Sequence, residues 1–342
     1  MMHIGAYFSD AASPILPVAL LASVLLMFIN GWTDAPVTIA SAVSSGALSV
    51  KRACFLSAIF NLLGAVFMSF FGSSVAGSVY SVSGVGGINS VKGAAVITAA
   101  MLTVVAFAVL AFYFGIPTSE SHALFASLSG ASAAVIGFKA FLNIEWLKIF
   151  SGILISTLPL IFFADLAANL LLRKIKAQND KVLKKLQTAG VMALSFSHGA
   201  QDGQKFAGVF TVCYVLGLGR NAETVKVPLV AVILSAALIS IGMFCCGGRI
   251  IRSFEGVAPK NAASGFAADF VSSSALVICS LLGIPVSTTH AKTAAIIGAG
   301  TKSAVSQKTF KSFAFWWALT FPCCAAVGYI LSKVLVFFCL PV

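Results

Sequence analysis

The sequence predicts an all-α polytopic membrane protein: two inverted repeats with broken or re-entrant helices, crossing about 10–12 times. Composition, the spacing of apolar runs and an internal duplication each point there. Of 342 residues, 59% are apolar and 9% charged, with a mean hydropathy of +1.01. Soluble domains carry about 25% charged residues, so this chain cannot clothe a water-facing surface. A cytosolic enzyme, a disordered chain and a nucleic-acid binder are excluded despite a net charge of +12. The 22 basic residues read as topology signals rather than as a polyanion-binding face.

Taken in order, the apolar runs of the first half lie at 14–49, 52–72, 93–114, 116–137 and 144–172. Those of the second lie at 188–217, 226–246, 265–282, 284–300 and 310–340. A spanning helix needs about 20 mostly apolar residues. The first run exceeds one straight crossing and is interrupted by Asn30 to Pro36, which predicts a break; the run 188–217 is interrupted likewise by His198 to Gly203. The glycine- and serine-rich stretch from Gly72 to Gly93 reads as an extramembrane loop. Met1 to Asp10 lacks a basic n-region, so no cleavable signal peptide is expected. The eight cysteines form no C-x-x-C pair and no cluster with histidine, and read as buried free thiols.

Charge sets the organisation. Arg173, Lys174, Lys176, Lys181, Lys184 and Lys185 stand against Asp180 alone between 173 and 187. This segment is the expected basic cytoplasmic linker between a first membrane repeat, 1–172, and a second, 188–342. With it inside, Lys51, Arg52, Arg249, Arg252, Lys260, Lys302, Lys308 and Lys311 fall on the same side and both termini outside.

The two interruptions are related, for Asp34 and Asp202 are 168 residues apart. Gly-Ile-Pro-Thr-Ser-Glu-Ser-His, ending at His122, recurs as Gly-Ile-Pro-Val-Ser-Thr-Thr-His, ending at His290, at the same offset. Two rare motifs in register mark a duplication. Inverted repeats with broken helices are the architecture of secondary transporters, with substrate at the repeat interface.

Ionisable groups at membrane depth are expensive and mark function. Asp34 and Asp202 sit beside glycine in mid-segment, and carboxylates with unwound carbonyls suit a hard cation or a proton. Asp165 and Asp269 read instead as helix-end groups. In the other motif, proline in a first helical turn is followed by Thr118, Ser119 and Ser121 in one copy and Ser287, Thr288 and Thr289 in the other. Hydroxyls and free N–H groups at a helix N-terminus suit an oxyanion, although Ser and Thr there also serve as ordinary caps. His122 and His290 order these hydroxyls, relay a proton or are plain core residues. Lys205 and Lys292 either offset anion charge or snorkel to the interface.

The runs Ser-Phe-Ser-His-Gly-Ala-Gln-Asp-Gly-Gln-Lys, ending at Lys205, and Pro-Val-Ser-Thr-Thr-His, ending at His290, resemble signatures of the inorganic phosphate transporter (PiT) family. Asn30 through Ala47 resembles its N-terminal signature, and the likeness spans nearly the whole chain. It implies an ion-coupled carrier of phosphate, or of sulfate in some bacterial relatives, multi-pass in the cell membrane and, for a bacterium, the inner membrane. A homodimer is compatible with it. It implies cation coordination around Asn30, Thr33, Asp34, Gln201 and Asp202. Anion contacts fall at Thr118, Ser119, Ser121, Ser287, Thr288 and Thr289, with Gly199 and Lys205 nearby, and His122, His198 and His290 in support.

Thr33 and Gln201 replace asparagines usual in the family, and Glu120 stands where the second copy has Thr288. A carboxylate beside an anion must be protonated or paired, so Glu120 is the expected proton carrier, unless Lys292 neutralises it across the repeat interface. Proton symport is therefore favoured over sodium, with no cofactor beyond the coupling ion. Alternatives are a proton-coupled sulfate permease, a passive anion channel and an intramembrane aspartyl protease with Asp34 and Asp202 as its dyad. No G-x-x-x-x-G-K-[ST] run supports ATP hydrolysis.

Overall fold

At membrane depth no water bonds the backbone, so apolar runs satisfy their N–H and C=O groups within helices. The computed structural model describes residues 15–72, 74–88, 90–116, 118–142, 145–174, 180–217, 226–246, 258–299 and 307–339. Among these every regular element is helical. The first half comprises α1 (Leu16–Ser44), α2 (Val50–Ser69), α3 (Ser74–Ser83), α4 (Ser90–Phe114), α5 (Glu120–Ile136), α6 (Glu145–Ile155) and α7 (Leu158–Lys174). The second comprises α8 (Asp180–Gly217), α9 (Leu229–Phe244), α10 (Ala262–Leu281), α11 (Thr288–Ala299) and α12 (Gln307–Cys339).

Each predicted apolar run holds a helix, and seven spans among the described residues are long and apolar enough to cross a membrane. The surface is inverted relative to a soluble protein. Leu21, Phe70, Phe138 and Phe337 are 69%, 81%, 87% and 72% exposed, while Asp34, Asp202, Asp269, Lys205 and Lys292 are buried. Cys54, Cys213, Cys279 and Cys324 are buried as expected, whereas Cys245 and Cys323 face outward.

Three expectations are corrected. Helices α1 and α8 run unbroken through Asn30–Pro36 and His198–Gly203. Pro36 removes one N–H from the α1 ladder, a loss that packed membrane helices tolerate, and Thr33 Oγ1 donates to the Ile29 carbonyl at 2.8 Å in the turn before it. The chain breaks instead before α5 and α11. The Gly72–Gly93 stretch is not a loop: it contains α3, whose Val75, Val79 and Val82 are buried. Pro285 precedes the cap of α11 rather than opening its first turn. Within the basic linker, the described residues belong to the end of α7 and the start of α8. Pro117, Lys176, Arg220, Arg249, Arg252 and Lys302 lie outside the described residues.

Glycines set how the halves meet. A Cβ on Gly31 of α1 would stand 1.9 Å from the Ile239 carbonyl oxygen of α9, and one on Gly199 of α8 would stand 1.9 Å from that of Asn61 on α2. Gly64 meets Phe196 and Gly242 meets Phe28 in the same way. Likewise Gly130 of α5 meets Ala325 of α12, and Gly298 of α11 meets Ile161 of α7. In each pair, a helix of one half packs on the partner helix of the other, and the second contact exchanges the roles. The contacts between the two halves are thus reciprocal. Gly31→Ala and Gly199→Ala should each cost about 1–3 kcal/mol through overpacking against backbone. Gly77→Ala, with open space around it, should be neutral. Thermal unfolding of the purified protein checks both.

Candidate functional site

Two helix starts are built alike. Gly115 and Gly283 take φ of +67° and +69° just after α4 and α10, the left-handed conformation that glycine tolerates at a helix C-terminus. The amides of Ile116 and Ile284 then bond back to the carbonyls of Ala111 and Cys279, each at 2.8 Å. The chain turns into α5 and α11, whose caps are Ser119 and Ser287: each Oγ accepts the backbone N–H of its histidine, His122 or His290, at 3.2 Å. Ser119 Oγ donates to Ser287 Oγ at 2.7 Å. Two positive helix ends therefore meet at their caps.

Against them lie α1 and α8, carrying side chains at helical spacing on one face. Asn30 Nδ2 bridges Asp34 Oδ2 at 3.1 Å and Asp202 Oδ2 at 3.4 Å. Thr289 Oγ1 donates to Asp34 Oδ1 at 3.1 Å, and Thr288 Oγ1 lies 3.4 Å from Asp34 and 3.5 Å from Asp202. His198 Nε2 faces the same Oδ2 atoms at 3.5 and 3.2 Å, without hydrogen-bond alignment. Its Nδ1 is 2.8 Å from Asn61 Oδ1, and Asn61 donates to Ser240 at 2.9 Å. Asp34, His198 and Asp202 thus present ligand atoms within 4.8 Å of one another, a spacing that could hold a cation.

The hydroxyl and carboxylate motifs form one site, where the sequence separated anion from cation chemistry. Lys205 is fully buried rather than snorkelling. Its Nζ reaches Asp202 Oδ1 at 2.5 Å, Ser121 Oγ at 2.8 Å and the Val286 carbonyl at 2.5 Å. Glu120 is 3% exposed; its Oε1 lies against Thr33 Oγ1, and its Oε2 has no hydrogen-bond partner among the described residues. Gln201 Nε2 donates to the Ile284 carbonyl at 3.2 Å. The side-chain oxygens of Gln201 and Asn30 are buried without hydrogen-bond partners among the described residues. A cavity of about 10 Å³ between Thr33, Asp34, Thr118 and Glu120 has room for about one water.

Other candidates stand apart. His122 and His290 stack edge-on with centroids 4.1 Å apart, and His290 lies 3.8 Å from the ring of Trp317. Gly199 backs onto α2, which gives it a packing role. Lys292 does not neutralise Glu120: it pairs with Asp269, which is wholly buried rather than a helix-end group. Asn61 and Ser240 were missed, although a lone asparagine inside an apolar run was a signal.

A sequence model described as "Phosphate transporter family" matches residues 30–176 and 167–328. The chain belongs to this phosphate transporter family. A protein of Rhizobium meliloti (strain 1021), named "Probable low-affinity inorganic phosphate transporter", is 32% identical over 326 residues, 93% of this chain and 95% of that one. A protein of the same name from Bacillus subtilis (strain 168) is 26% identical over 309 residues, 88% of this chain and 91% of its own. A solved structure titled "The sodium-dependent phosphate transporter" shares the fold with a TM-score of 0.77 at 23% identity, over 94% of this chain and 99% of the other. The protein is a multi-pass membrane protein of a transporter family, not an enzyme.

Lys205→Met should destabilise this family member by about 3–5 kcal/mol, because Asp202 is left buried without its cation. Adding Asp202→Asn should recover much of that loss. A double-mutant cycle read by thermal unfolding measures the coupling; additive losses would show that the pair does not act as one.

Proposed function

We propose that this chain imports inorganic phosphate across the cell membrane by symport with a cation, with the anion held where the α5 and α11 caps meet. The observation that carries this is the charge at the site. Asp34, Asp202 and Glu120 are buried with Lys205 and one imidazole, beside hydroxyls and two helix N-termini. An anion about 5 Å from a carboxylate is repelled by roughly 3 kcal/mol at an effective dielectric of 20. Several such carboxylates forbid anion binding unless protons or cations enter with it. Coupling then follows from linkage, since each ligand raises the affinity for the other by the same factor.

The proton is the first candidate for the coupling ion. Protonated Glu120 changes from a repelling group to a hydroxyl donor, and its Oε2 has no hydrogen-bond partner among the described residues. Sodium is the second reading, favoured by the unpartnered oxygens of Asn30 and Gln201, since a hard cation takes carboxylate and amide oxygens together. The reciprocal glycine contacts support two repeats of opposite orientation, rocking about the shared site in alternating access.

Labelled-phosphate uptake into proteoliposomes tests the proposal. Under an inward proton gradient without sodium, uptake should accumulate, collapse with a protonophore and resist excess sulfate. Glu120→Gln should remove the rise in uptake on external acidification. Uptake that appears only on adding sodium would transfer the coupling to Asp34, Asp202 and the unpartnered amide oxygens. Sulfate uptake in place of phosphate would defeat the substrate assignment.

A further inference from the structure

The helices bury a second charged group away from the carboxylate cluster. Lys292 on α11 is 1% exposed and Asp269 on α10 is 0% exposed. Lys292 Nζ donates to Asp269 Oδ1 and, at 2.6 Å, to Ser41 Oγ on α1. Gln187 on α8 donates to the other oxygen of Asp269. Four helices thus converge on one ion pair.

The duplication shows what stands at the matching place. At the 168-residue offset, Ser41, Gln187, Asp269 and Lys292 correspond to Val209, Ala19, Met101 and Leu124. The offset holds along these helices, because the turns ending α4 and α10 and the caps of α5 and α11 match at it. All four counterparts are buried in a single apolar core. Apolar side chains therefore stand in one half where the other holds a complete ion pair. Apolar packing of similar volume is often as stable as a buried pair or more so, so stability alone does not account for the polar version.

Position supplies the role. Ser41 lies seven residues beyond Asp34, about 10 Å further along α1, towards the end followed by Lys51 and Arg52. Gln187 lies towards the end of α8 that carries exposed Lys181 and Lys185. The apolar counterpart occupies the opposite ends of α1 and α8. Among the described residues, α1 is hydrogen-bonded to α11 by two rungs: Thr288 and Thr289 to Asp34, and Lys292 to Ser41. The ion pair stands in series with the site, one rung nearer the basic side.

We propose that Lys292, Asp269, Gln187 and Ser41 form an ionic latch that closes the passage from the site to the basic side, while apolar packing closes the other side. Water can replace the latch bond by bond as the helices part, since both charges regain hydration. The opposite closure offers no such route and parts only when apolar surface is wetted. The two directions of opening therefore have different barriers, although the site between them is nearly symmetric.

This inference rests on the transport reading, and a wild-type protein without phosphate uptake would sink that reading rather than the latch. The test gives each member of the cluster the residue found at its matched position: Ser41→Val, Gln187→Ala, Asp269→Met and Lys292→Leu together. The latch predicts a variant that melts at or above the wild-type temperature, keeps the stabilisation conferred by added phosphate, and loses uptake at least tenfold in proteoliposomes. Uptake within twofold of wild type would overturn the proposal. So would a fall in uptake that merely follows lost stability, which marks a structural role. If the quadruple variant does not fold, Ser41→Ala alone removes the α1 rung and leaves the ion pair intact. It should change the uptake rate at least threefold without moving the melting temperature, and an unchanged rate would reject the latch.

Discussion

Charge held at membrane depth without water is the constraint on which this structure depends. Asp34, Asp202 and Glu120 must find their partners inside the protein, some on their own helix and others across a helix contact. Unbroken α1 and α8 meet this need. Spacings of three and four residues place Asn30 with Asp34, and His198 with Asp202 and Lys205, on inward faces. Gly31 and Gly199, on an adjacent flank of each helix, bring α9 and α2 to backbone contact. Those contacts fix α1 and α8 in rotation, and the carboxylates stay aimed at the caps of α5 and α11. Packing glycine and charged residue are neighbours in sequence because one holds the other in place.

Much of this was legible in the residues. The apolar runs gave the helices, and the 168-residue offset paired Asp34 with Asp202 and His122 with His290 before any contact was known. The misreadings have a common physical source. Glycine and proline near Asp34 and Asp202 argue for a break under the rules of isolated helices. In a packed membrane helix, the same glycine is the surface on which a neighbour's backbone rests. The pairing of Lys292 with Asp269 was hidden for another reason: it depends on how the turn at Gly283 folds α10 against α11. The fusion of hydroxyl and carboxylate motifs into one site depends on α1 meeting α11, a contact across 255 residues that no local pattern encodes.

Duplication makes the departures from symmetry informative. Asn30 corresponds to His198, Val37 to Lys205 and Thr288 to Glu120. Asp202 consequently has a lysine between itself and Ser121, whereas Asp34 meets Thr289 directly. The positive charge lies on one side of the pseudo-two-fold, and the additional carboxylate, Glu120, lies on the other.

In the proposed symport this imbalance directs the coupling ion. Lys205 already compensates Asp202, so the uncompensated charge is that of Asp34 and Glu120. The cavity between these two, bounded by Thr33, Thr118 and Val37, is of a size for a single water or a bare ion. A proton on Glu120 would relieve this repulsion from the first half, whereas a sodium ion among Asp34, Asp202 and the amide oxygens of Asn30 and Gln201 would draw on both halves. In the same proposal the second half, with Lys205 paired to Asp202, contributes charge and hydroxyls to the anion. On that proposal, division of labour between the halves comes from three substitutions at matched positions, 30 and 198, 37 and 205, and 120 and 288.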